Sequence, residues 1–540
     1  SRTGTNNVGV FNALTGDVRN IGFLSTNVNG SDYTGGLAST FATGTIANTF
    51  VTGNIGGHNF TGGLVGNMTS GTVSNAYTSG TINGYAYSNA GGLVGYMTGG
   101  TITGSGSGSN VTVSSNSGGL VGKNNGGTIN DSFATGNVTA TAGTGFVNAA
   151  GGLVGVNAGT SSINNSRASG TVVGGGFSNG GLVGENDANA TISGSYYNGP
   201  SVTGYLNTGG LVGQNYGNIS NSYVASGASV HGATETGGFV GYAQSGTISG
   251  SYSAATVFGD QNGSTSSNDV GGFAGFMTSS TTLNGNYATG NVTGGSNVGG
   301  FVGSLNGATL TGVHATGNIY GNRSDSNNGG GLIGYAVTSI ALSKSWASGN
   351  VVWNTTGFST AGGLVGNVNT PGTIDQTFAT GNVQGGTGSV GGLVGNNSAT
   401  ISNSYATGNV TGQTGAWTGG FVGGNWSTIT KSYATGTATG GANVGGFAGL
   451  NAGSLDSTNI WNTTTGNATN PSGSAVGKTT AQMQTLATFT GQGWASIDGN
   501  FGTGTIWRIY AGQTAPQLRN LMTQATIVGA DATYAYTGVA

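Results

Sequence analysis

The sequence predicts an all-β chain: a right-handed parallel β-helix, a solenoid of about 15–16 coils of ~29 residues, with a C-terminal cap that contains a short helix. Three observations predict it. A short box, GG[LF][VIA]G, occurs fourteen times at steps of 26 to 34 residues. Each box is followed by two further β-prone runs separated by Gly, Asn and Ser, with no helical period between them. Finally, the unit is too small to bury a face alone, so copies must stack on one another.

Stacked rungs would rise by about 4.8 Å each, and sixteen would span roughly 75 Å. Parallel crossovers are almost always right-handed, which sets the expected hand. A left-handed hexapeptide helix needs a six-residue beat that is absent. A propeller blade needs about 40–45 residues for its four strands, and the paired hairpin signals of an antiparallel sandwich are missing.

Taken in chain order, VGVF near Val10 and TGGLAS at Leu37 are worn first copies. The clean boxes then place Leu64, Leu93, Leu120, Leu153, Leu182, Leu211, Phe239, Phe273, Phe301, Leu332, Leu364, Leu393, Phe421 and Phe447 in one core column. Eight to ten residues later comes a second apolar column, from Val73 and Ile102 to Ile429 and Leu455. A third follows in "GNVTG", at Val138, Val292, Ile319, Val351, Val383 and Val410. The Gly pair of the box lets the chain turn and pack closely at a corner. Length variation collects between the third column and the next box, as in 139–152 and 258–272, and loops gathered on one side of a solenoid either drift or form a binding face.

Four residues after the Ile stands a column rich in rings: Phe50, Tyr77, Gly106, Phe133, Arg167, Tyr196, Tyr223, Tyr252, Tyr287, His314, Trp346, Phe378, Tyr405 and Tyr433. An unpaired Arg in a dry interior is very costly, so the column is expected to be partly exposed or at a corner. Its Tyr and Trp members are the candidate site. Three readings stay open: a stack that stiffens the solenoid, a surface for sugars or another chain, or a buried column with Arg167 snorkelling.

Composition narrows the function. Of 540 residues, 116 are Gly, ten are Lys or Arg and thirteen are Asp or Glu, for a net charge of −3. There is no basic patch for nucleic acid. Without cysteine, neither disulfides nor thiolate metal sites can form. No apolar run approaches the roughly 20 residues that cross a bilayer, so no membrane insertion is expected. The start, SRTGTNNVGVF, lacks the apolar core of a signal peptide, which suggests a mature product or a segment of a longer chain.

Chemistry-bearing residues are sparse. The closest acidic or mixed pairs are Glu185 with Asp187, Asp260 with Asp269, and Arg323 with Asp325. The first and third could share a face but sit in loop-like sequence. Glycan-cleaving β-helices need acids converging on one face. His58, His231 and His314 have no metal-ligand spacing, and the aspartates lack the beat of calcium-binding nonapeptides. The Gly-x-Gly strings and the sequons at Asn67 and Asn409 follow from composition. No catalytic residue, metal or cofactor is expected.

After Leu455 the pattern stops. Thr479-Thr480-Ala481-Gln482 is similar to a capping box opening a helix through about Leu486, followed by Trp494, Phe501, Trp507, Arg508, Tyr510, Pro516 and Arg519. The expected division is a β-helix over 1–462, a cap over 463–520, and a linker or first strand of a following immunoglobulin-like domain over 521–540. An open solenoid end needs such a cap.

The boxes "GGLVG" and "NSYATGNVTG" resemble the GLUG repeat of large secreted bacterial proteins, notably filamentous-haemagglutinin-like adhesins and some IgA-peptidase-like surface proteins. The resemblance covers roughly 35–455. The segment "WRIYAGQTAPQLR" (507–519) is similar to the one that closes such arrays. The resemblance implies an exported rod, often passed unfolded through an outer membrane, with which the lack of Cys agrees. The secretion and protease domains of the family have no counterpart in this sequence, so peptidase activity is not carried over.

The leading expectation is a non-catalytic extracellular rod: an adhesin stalk or surface fibre of a bacterium, with surface glycans or proteins, neighbouring domains or further copies of itself as partners. The alternatives are a self-assembling filament subunit, a carbohydrate- or ice-binding β-helix, and a glycan-degrading enzyme.

Overall fold

The computed structural model describes residues 6–85, 89–141, 149–259, 269–321, 327–353, 357, 359–465, 469–470, 472–499 and 505–522. The chain divides into two compact units, Ser1–Thr479 and Thr480–Ala540.

The first unit is a parallel β-solenoid of about 15 turns. Each strand pairs in parallel with its counterpart one turn on, which excludes the blade and hairpin alternatives. A typical turn has five short strands rather than three runs. In one turn these are Ser178–Gly180, Val183–Asn186, Thr191–Ser193, Tyr196–Tyr197 and Ser201–Thr203. They belong to a 15-stranded sheet, a 16-stranded sheet, a 10-stranded sheet that a 6-stranded one takes over after Asn284, and a 29-stranded sheet holding two strands per turn.

The extra strands have a physical cause. The box is a corner: its first Gly ends one strand, its Leu or Phe turns inward, and the next residue starts another. Both glycines are required by close approach rather than by positive φ. A Cβ on Gly62 would lie 2.0 Å from the Val65 carbonyl oxygen, and one on Gly63 would lie 2.2 Å from that of Gly92 in the next turn. The run "SYATGNVTG" breaks similarly at its own Gly, giving the two strands of the 29-stranded sheet.

One continuous apolar core runs through the first unit. The fourteen box residues show no exposed surface. Phe239, Phe273 and Phe301 stack inside it with centroids 4.7 Å apart.

The ladder runs on past the last repeat at Leu455, to Ile460–Asn462 within the expected β-helix and to one strand in the segment expected as a cap. Ile460–Asn462 pairs with the strand at Tyr433, and Val476–Lys478 pairs with Ile460–Asn462.

The second unit has a helix at Thr480–Met483, shorter than expected, and a second at Leu486–Gly491 that the sequence reading did not separate. A small sheet follows, of Ile497–Asp498, Trp507–Arg508 and Gln517–Leu518. LATFTG has weak helical propensity of its own. Packing holds it, since buried Phe489 meets Trp494 edge-on at 4.9 Å and Trp494 meets Trp507 at 5.0 Å. Phe501 and 523–540, most of the expected linker, lie outside the described residues.

Candidate functional site

The ring column starts from a turn. Two residues before it the backbone enters the left-handed region: Asn48, Asn75, Asp131, Asn165, Asn221, Lys344, Gln376, Asn403 and Lys431 have φ of 47° to 55°. Asn tolerates this region best among non-Gly residues, and its abundance in "ISNSY" now has a cause. The turn takes the following N–H out of the regular ladder, in a buried corner where an orphan donor would cost about 1–3 kcal/mol. A serine hydroxyl one turn on satisfies it. The N–H groups of Ser105, Ser132, Ser166, Ser195 and Ser222 donate to Oγ of Ser132, Ser166, Ser195, Ser222 and Ser251 at 3.0–3.3 Å. Each of these hydroxyls in turn donates to the carbonyl two residues before it, as Ser166 does to Asn164 at 2.8 Å.

The next residue then points outward, in register from turn to turn. From Tyr196 through Tyr223, Tyr252, Tyr287, His314, Trp346, Phe378 and Tyr405 to Tyr433, nine rings stack face to face. Their centroids are 4.5–5.5 Å apart and their planes within 2–7° of parallel. The spacing is that of the strands themselves. At Arg167 a guanidinium replaces the ring and lies 4.9 Å from the Phe133 centroid, a cation–π contact on an exposed side chain. At Gly106 the Phe133 ring fills the space a Cβ would take, and Tyr77 reaches Phe133 across the gap at 6.4 Å.

Most of the rings are half-buried; Tyr77 is 40% exposed and Tyr433 is buried. Burial raises the phenol pKa values of Tyr223, Tyr287, Tyr405 and Tyr433. It lowers that of His314, which sits uncharged in the stack at neutral pH. Because stacked neighbours cover each other's faces, the column presents edges and hydroxyl groups. A sugar platform needs an open ring face, so this geometry favours the stiffening reading.

The acidic pairs fare differently. Glu185 is not in a loop: it points outward from the strand Val183–Asn186, in register with Val156 and Gln214, and Asp187 follows the strand end. The strand extends further than its polar residues suggest because its inward partners, Val183 and Asn186, are buried. A shallow hollow of about 340 Å³ is lined by Gly159, Glu185, Asp187, Ala188, Asn189 and Tyr216. Burial, then the neighbouring Asp187 carboxyl, raises the Glu185 pKa to about 7. Tyr216 accepts a 2.6 Å hydrogen bond from Gln214 Nε2.

Asp269 is buried at the start of Asp269–Gly271 and accepts hydrogen bonds from Asn297 Nδ2 at 2.9 Å and from Ser304 Oγ. Burial raises its pKa. Asp260, Arg323 and Asp325 lie outside the described residues. His58 stacks on Tyr85 and His231 on Phe258. Among the described residues no group of three His, Asp or Glu side chains could hold a metal ion, and no helix is long and apolar enough to cross a membrane.

Sequence reasoning missed an interior polar column. Four residues after the box Leu, Asn124 Nδ2 donates to Asn157 Oδ1 at 3.1 Å, Asn157 to Asn186 at 2.9 Å, and Asn186 to Asn215 at 2.8 Å, all fully buried. The signal was visible in GGLVGKN, GGLVGVN, GGLVGEN and GGLVGQN, where Asn recurs at a fixed offset rather than at a variable turn.

The GLUG motif matches residues 147–173 and 386–411, the turns around Leu153 and Leu393. The chain thus contains a GLUG-repeat region. No curated protein and no solved structure matches it.

Proposed function

We propose that this chain is a non-catalytic structural stalk displayed outside a bacterial cell, an adhesin shaft or surface fibre. One observation carries the reading: the ring column and the side-chain oxygens of the outward asparagines are taken up by the solenoid's own ladders. Rings cover rings and asparagines bond the next turn, so side chains that could do chemistry are spent on holding turns together. The GLUG repeats and the resemblance to secreted adhesins support the extracellular part of this reading. Among the described residues, the hollow at Glu185 and Asp187 brings two carboxyls together and is where a catalytic reading is tested.

The test pairs two measurements. Antibodies raised against the chain should label intact cells of the source organism, and the purified chain should leave a panel of soluble polysaccharides uncleaved. Labelling only after lysis, or turnover that falls on Glu185→Ala, would overturn the proposal.

A further inference from the structure

The second strand that each turn contributes to the 29-stranded sheet has outward residues the ring stack does not use. Asn291, Asn318, Asn350, Asn382 and Asn409 lie one above another. Each Oδ1 accepts the backbone N–H one turn on: Asn318, Asn350, Asn382, Asn409 and Thr437 donate in turn, at 2.9–3.0 Å. These bonds fix the side chains and commit their oxygens. The Nδ2 groups of Asn350, Asn382 and Asn409 have no partner among the described residues. They form a row of amide donors repeating once per turn.

Two residues further along each strand, Thr293, Tyr320, Val352, Gln384 and Thr411 form a second column in register. Between the columns, over three turns, runs a groove of about 420 Å³. It is walled by Asn350, Asn382 and Asn409 on one side and Val352, Gln384 and Thr411 on the other. Its floor is the backbone of Val351 and Val383, whose side chains are buried. No charged side chain lines it. One turn before Val352 on the same wall stands Tyr320, 37% exposed and stacked on no other described ring.

We propose that this groove binds a neutral, extended β-linked polysaccharide lying along the solenoid axis, one sugar per turn. The turns advance by about 4.8 Å, close to the advance of one sugar in such a chain, whereas a peptide strand advances by about 3.3 Å per residue and loses register within one turn. Amide N–H groups suit hydroxyl and ring-oxygen acceptors. An uncharged groove offers no compensation for desolvating an acidic or sulfated sugar. Tyr320, 37% exposed on the same wall, adds a hydroxyl and an apolar ring edge that a sugar can meet. The proposal does not rest on the stalk reading, and its failure would leave that reading standing.

Titration calorimetry of the whole chain with cellohexaose tests it, with xylohexaose and mannohexaose as further β-linked probes and the coiled α-linked maltohexaose as the contrast. At least one β-linked probe should bind and maltohexaose should not. Asn382→Asp keeps the oxygen that accepts the Asn409 N–H but removes two donors, and should weaken binding about tenfold with the thermal midpoint unchanged. Gln384→Ala and Tyr320→Ala, both at exposed positions, should each weaken it several-fold. The proposal falls if no β-linked probe binds, if maltohexaose binds equally well, or if binding survives all three substitutions.

Discussion

The interior position four residues after the box Leu or Phe is filled in two ways along one solenoid. In the turns of Leu120 to Leu211 it holds Asn124, Asn157, Asn186 and Asn215. In the turns of Phe239 to Leu364 it holds Ala243, Met277, Leu305, Ala336 and Val368, in unbroken register with the asparagines. All nine side chains are fully buried. The polar run succeeds because it is a run: each Nδ2 feeds the next Oδ1, and the ends close on backbone. Asn124 Oδ1 accepts the Gly127 N–H at 3.0 Å, and Asn215 Nδ2 donates to the carbonyls of Gly217 and Ser245 at 2.9 and 3.1 Å. A second run, Asn397–Asn425–Asn451, is built the same way. Whether a residue suits this position is therefore decided by its neighbours one turn either side, not by burial alone.

Breaking the polar run at its centre should have the largest effect. Asn186→Leu strands Asn157 Nδ2 and Asn215 Oδ1 in the interior, and at about 1–3 kcal/mol for each orphaned group should destabilise by about 2–6 kcal/mol in chemical unfolding. Met277→Leu, the matching change in the apolar run, conserves volume and should cost under about 1.5 kcal/mol. Equal losses would abolish the distinction. The reverse swap sharpens it: Met277→Asn places one amide between Ala243 and Leu305 and should cost about 1–3 kcal/mol for want of a partner.

The outer ring stack crosses the boundary between the runs without a break. Tyr223→Ser beside the polar run and Tyr287→Ser beside the apolar one each remove two ring contacts. Both should lose about 1–3 kcal/mol, at about 0.5–1.5 per pair, as read from the unfolding midpoint. A marked difference between them would show that the inner filling reaches the outer face.

The smallest effect concerns charge, since the polar run also carries Glu185. Its carboxyl has a folded pKa near 7, raised from 4.5 by burial. The folded state therefore holds the proton more tightly. That contribution is complete below about pH 4.5 and lost as pH rises through about 7. Glu185→Gln should remove this slope and gain about 1–2 kcal/mol above pH 7, allowing for solvent screening. Thermal midpoints measured from pH 4 to 8 would show it.

The sequence reveals whatever repeats with an apolar or aromatic side chain. The box residues, the Ile and Val columns and the rings are legible because their period survives insertions between them. The buried Asn and Ser ladders were not, because both types usually mark turns and their partners lie a full turn away. The strand at Glu185 was obscured by its polar residues, of which Glu185 faces outward and Asn186 belongs to the buried asparagine run. The second helix was hidden because packing among Phe489, Trp494 and Trp507, rather than local propensity, holds it.

The serine hydroxyls of the corner and the asparagine columns join each turn to its immediate neighbours, as the ring column does from Tyr196 to Tyr433. A segment comprising one whole turn could thus be excised or duplicated in the gene and the cut ends would meet the same donors and acceptors they had before. Reach would then be inherited as a copy number, adjustable by recombination between near-identical repeats without inventing a single new contact.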